Sequence, residues 1–75
     1  MEGEEKQEDI QAGSELIFEY LQSLASTGGF IPSRHDIMLY ALREFELSKS
    51  SALRSVLLME REKDEALRRM GYRSS

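Results

Sequence analysis

Residues 30–59, FIPSRHDIMLYALREFELSKSSALRSVLLM, decide how this chain folds. The stretch opens on a helix start, runs on as an apolar helix, breaks, and starts a second helix. Ser33-Arg34-His35-Asp36 has the form of a capping box. In such a box the serine oxygen accepts from the backbone of Asp36 and the carboxylate reaches back. Pro32 and Ile37 flank it as a hydrophobic staple. Ile37, Met38, Leu39, Tyr40, Ala41, Leu42 and Phe45 then make the helix apolar nearly all round, so it is central and touches neighbours on several sides. Arg43, Glu44 and Glu46 cover what remains exposed.

The break at Leu47-Ser48-Lys49-Ser50-Ser51 holds no Gly or Pro. Its serines compete with the backbone for hydrogen bonds and favour a new N-cap at Ser48 or Ser50. One continuous helix through the break is the alternative. Beyond it a helix is expected from about Ser51 to Met70. Ala52, Val56, Met59, Ala66 and Met70 keep helical spacing there, with Leu53, Leu57 and Leu67 beside them. Glu60 to Glu65 is solid charge, and Arg61–Glu65, Asp64–Arg68 and Glu65–Arg69 are supporting pairs worth ~0.2–0.5 kcal/mol each. Arg68 and Arg69 occupy the last turn, Gly71 the C′ position, and Tyr72 folds back on Leu67. Such a helix would be about 30 Å long.

Outward in the other direction lies the first helix, from Ile10 or Ser14 to Ser26. Gly13, Leu16, Ile17, Tyr20, Leu21 and Leu24 form its amphipathic stripe. Ser14 is a candidate N-cap, and Thr27-Gly28-Gly29 closes the helix. Residues 1–9, MEGEEKQED, read as a disordered acidic N-terminus. Residues 10–72 read as one helical domain: an all-α, small three-helix bundle with a long C-terminal helix and a helix-turn-helix-like core. No run alternates at period two.

A chain of 75 residues is one domain and buries only ~60% of its unfolded surface. It has no cysteine, so disulfides and thiolate metal sites are excluded, and an intracellular location is expected. No run approaches the roughly 18 apolar residues of a membrane span. Residues 1–32 carry seven acids and one base, whereas residues 33–75 carry seven acids and nine bases. His35, the only histidine, reads as a surface residue. Ser33, His35 and Asp36 crowd one helical turn and point different ways, so no nucleophile with an oriented base is expected. The reading is of a non-enzyme with no cofactor, no metal and no small-molecule substrate.

The segment from Ala41 to Arg54 resembles the helix-turn-helix of bacterial regulators. Pro32-Ser33-Arg34-His35-Asp36-Ile37, after a helix and a Gly-containing loop, resembles the DNA-binding domain of the SOS repressor. That resemblance implies double-stranded DNA as partner, with the second helix of the pair entering the major groove by its N-terminal end. Lys49, Ser50, Ser51, Arg54 and Ser55 would then face DNA, and Arg34 and Arg43 would meet its backbone. Glu46 stands where such units usually have glycine, so it takes a left-handed backbone at a penalty or forces another turn. A homodimer matches two half-sites. Phe18, Tyr40, Leu58, Leu67 and Met70 are the candidate partner or dimer contacts. The alternative is a helical protein–protein interaction module without DNA binding. In it the acidic N-terminal half, or the apolar surplus at Phe18, Leu39, Tyr40 and Leu58, meets a partner helix or groove, and Lys49, Arg54 and the serines are ordinary surface.

Overall fold

A computed structural model of the protein describes residues 7–73, with side chains from residue 9. It contains α1 (Gln7–Ser26), α2 (Arg34–Glu44), α3 (Lys49–Glu62) and α4 (Asp64–Met70), and no strand among the described residues. The all-α expectation holds, but four helices stand where three were expected. None of the helices is long and apolar enough to cross a membrane.

α1 begins at Gln7, ahead of both expected starts, so residues 7–9 of the expected disordered segment are helical. The expectation for residues 1–6 lies outside the described residues. Ser14 does not cap α1. It sits inside the helix, 1% exposed, on the stripe formed with Ile10, Gly13, Ile17 and Leu21. Gly13 explains the close approach of α1 to α3, since a Cβ there would lie 2.7 Å from Ser55 Oγ. The Ser55 hydroxyl donates to the Ile10 carbonyl at 3.2 Å, linking the two helices through buried polar atoms. At the other end Gly28 adopts φ 75°. The N–H groups of Gly28 and Gly29 donate to the carbonyls of Ala25 and Leu24 at 3.2 and 2.7 Å, the paired bonds of a Schellman motif.

The capping box at Ser33 does not form. Ser33 has the extended backbone of an N-cap but makes no side-chain cap bond. Its hydroxyl is turned instead toward Asp36 Oδ2, 3.4 Å away. α2 buries Ile37 and Ala41. Tyr40 stacks on Tyr20 with centroids 3.9 Å apart, and Phe45 meets Tyr40 edge-on at 5.6 Å. The helix ends at Phe45, and Glu46 takes the left-handed conformation at φ 53°. Ser48 then caps α3, its oxygen accepting from the Ser51 N–H at 3.2 Å. The break is a turn, and a continuous helix is ruled out.

The expected single C-terminal helix is divided at Lys63, whose backbone leaves the helical region at φ −115°, ψ 29°. A straight helix would have carried residues 64–70 past the core. The break turns Leu67 inward to 3% exposure and sets the Lys63 ammonium 5.2 Å from the Phe18 ring centroid. Burial of an apolar side chain is worth ~1.5–3 kcal/mol, more than the few tenths available to each exposed ion pair of a straight helix. Gly71, at φ 89°, closes α4 as expected, with Gly71 N–H on the Arg68 carbonyl and Tyr72 N–H on the Leu67 carbonyl. Ile17, Leu21, Ile37, Ala41, Ala52, Val56, Met59 and Leu67 form the core, and Tyr72 packs against it.

Two substitutions test this packing. Glu46→Gly removes the left-handed penalty and should raise stability by about 0.5–1 kcal/mol after the glycine's extra chain entropy is counted. Gly13→Val drives two methyl groups toward Ser55 and should lower stability by about 1–3 kcal/mol. Thermal melts followed by circular dichroism read both, since 1 kcal/mol moves Tm by roughly 4–8 °C at this size. An unchanged Tm for Gly13→Val would refute the close α1–α3 contact.

Candidate nucleic-acid interface

At about 100° per residue, a helix sorts its side chains into faces by sequence alone. Ser51, Ala52, Ser55, Val56 and Met59 of α3 are buried. The opposite face carries Ser50, Leu53 and Leu57 along its middle, with Lys49 on one edge and Arg54 and Arg61 on the other. All six are exposed. Leu53 and Leu57 remain 38% and 42% exposed, although their spacing had placed them beside the core stripe. No acidic residue lies between Glu46 and Glu60 in the sequence. That gap in the acids is the sequence signal that would have singled out Leu53 and Leu57.

The structure divides the expected DNA-facing residues. Lys49, Ser50 and Arg54 share the exposed face, and Arg43 is exposed in the last turn of α2. Ser51 and Ser55 do not belong with them. Both are buried, and Ser55 lies against Gly13 of α1 with its hydroxyl on the Ile10 carbonyl. Arg34 is drawn to another task. Its Nε donates to Glu60 Oε2 at 2.9 Å and its Nη2 to Oε1 at 2.6 Å, a bidentate fork between the start of α2 and the end of α3. The Tyr72 hydroxyl donates to the same Glu60 carboxylate.

Among the candidate partner contacts, Leu67 is buried in the core and leaves that set. Tyr40 is half-buried in its stack with Tyr20. Phe18 is half-buried beneath Lys63, and Leu58 and Met70 are also half-buried. Leu58 lines a groove with Ile10, Arg54, Leu57 and Arg61. Met70 lines another with Phe30, Ile31, Pro32 and Gly71. Phe30 itself is 87% exposed. His35 is exposed, and among the described residues no group of three His, Cys, Asp or Glu side chains is placed to hold a metal ion.

Burial pushes the Glu60 carboxyl up, but the hydrogen bonds from Arg34 and Tyr72 and the Arg34 charge outweigh it and hold the group below its ordinary value. Burial, then the bond to Glu60, pushes the Tyr72 hydroxyl up. The bond to Glu60 likewise raises Arg34. This cluster therefore ties the start of α2, the end of α3 and the residue after Gly71 together through one shared carboxylate.

No protein-family model, no curated protein and no solved structure matches the chain.

The cluster predicts acid lability of a definite sign. A carboxyl held low in the folded chain adds stability that is complete above its ordinary value of 4.5 and is lost as pH falls through the lowered folded value. Glu60→Gln should flatten that part of the stability-versus-pH curve. At pH 7 it should also cost on the order of 1 kcal/mol, because solvent around Arg34 screens the pair. Urea titrations between pH 2 and 7 measure both, and parallel curves for the two proteins would contradict the assignment.

Proposed function

We propose that the protein is a small helix-turn-helix DNA-binding protein acting in transcription regulation, with α3 as the helix that enters the major groove. One observation carries the reading: an exposed α3 face with base at both edges, presented by a turn with a left-handed residue and a capped helix start. Groove edges are lined by phosphates and the groove floor by base edges. Lys49 and Arg54 are therefore assigned to the phosphates or to guanine, Ser50 to the floor, and Arg43 to the flanking backbone. Arg34, Ser51 and Ser55 have no contact role in this proposal.

The working assembly is a homodimer on two half-sites, which places the protein inside the cell with its DNA. Met70 and Phe30 line one groove, and that groove and, separately, Phe18 are assigned to the second copy. A second reading, a protein-interaction module without DNA, draws on the exposure of Leu53 and Leu57, to which Leu16 and Leu39 add.

Fluorescence anisotropy with mixed-sequence duplex tests the choice. Binding should be measurable at low salt and weaken steeply as salt rises, and Arg54→Glu should abolish it. Lys49→Ala should reduce the salt slope by about 0.9 if it meets one phosphate. Absence of binding at low salt would leave the interaction-module reading in place.

A further inference from the structure

The centre of the α3 face is the part its basic edges leave unexplained. Leu53 and Leu57 stand one turn apart there, on the side opposite the core. Neither side chain has a donor or an acceptor, so neither can read the polar edge of guanine, cytosine or adenine. The major groove displays one apolar group, the 5-methyl of thymine. We propose that Leu53, with Leu57 behind it, reads thymine methyl groups, so that the target is a duplex with thymine at the centre of its contacted segment. The inference rests on the DNA reading above and deepens it from nucleic acid in general to a base identity.

The geometry agrees with this assignment at the level of spacing. Four residues along an α-helix advance about 6 Å. Successive bases advance about 3.4 Å along each strand. Leu53 and Leu57 are thus set to meet methyl groups about two base steps apart. Lys49 on one edge, and Arg54 and Arg61 on the other, supply the charge complementarity that holds the helix between phosphates.

Selection of the full chain against a pool of randomised duplexes, followed by deoxyuridine substitution in the enriched sequence, tests the proposal. Deoxyuridine keeps the base pair and removes only the methyl group. The enriched duplex should contain thymine, and replacing the contacted one should weaken binding about four-fold, the value of one buried methyl-sized group. Leu53→Ala should bind the thymine and deoxyuridine duplexes equally, because its partner for the methyl is gone. Its circular dichroism spectrum should match the parent, since Leu53 lies outside the core. Equal binding of the two duplexes by the unaltered protein would overturn the role of Leu53 while leaving DNA binding intact. No binding to any duplex would overturn both.

Discussion

The rest of the structure depends on how closely α1 and α3 approach at Gly13 and Ser55. A side chain at Gly13 would collide with Ser55, and the hydroxyl there is matched to a backbone carbonyl of α1. On α3 the small residue at this contact is Ser55, and the small residues Ser51 and Ala52 are buried on the same helix. That contact sets the rotation of α3 about its own axis. With Ser55 set against α1, helical geometry leaves Lys49 and Leu53 on the exposed side, and Arg54, Leu57 and Arg61 along the groove beside Ile10. The composition of the outward face is thus a consequence of core packing, and the candidate interface is what the core leaves uncovered.

A second restraint acts at the far end of α3. Arg34, Glu60 and Tyr72 come from the start of α2, the end of α3 and the residues after α4. Each is an imperfect candidate for burial alone. Together they satisfy one another: the carboxylate accepts from the guanidinium fork and from the phenol, and these bonds favour an ionised Glu60 and a protonated Tyr72. The arrangement removes an arginine from the basic surface. Glu60, twenty-six residues later in the chain, lies against it in the fold.

What was legible in the sequence was local. Thr27-Gly28-Gly29 and Gly71 announced helix ends because only glycine takes the left-handed cap without strain. The serines at 48 and 50 both announced a helix start, and Ser48 is the one whose hydroxyl accepts an N–H, that of Ser51. Even the strain at Glu46 could be foreseen from the turn. What failed was decided by tertiary contact. Ser14 looked like a cap and is a small residue at a helix crossing. Ser33 and Asp36 had the spacing of a capping box, yet their side chains meet each other. The run from Glu60 to Glu65 looked like uninterrupted helix, and the gain from turning Leu67 into the core divides it at Lys63. For the candidate interface the residue types were readable, but the sorting of α3 into buried serines and exposed leucines needed the position of α1.

The break at Lys63 also has a kinetic meaning. α4 has only seven residues, too few to hold together in water without tertiary support. Its anchors are Leu67 in the core and Tyr72 on Glu60. Release of those two contacts frees α4 as a unit while α1, α2 and α3 keep theirs. Amide hydrogens of α4 should therefore exchange together and earlier than those in the middle of α3. The protein would open at its C-terminal end well before it unfolds, a subglobal step of the kind that native-state exchange resolves.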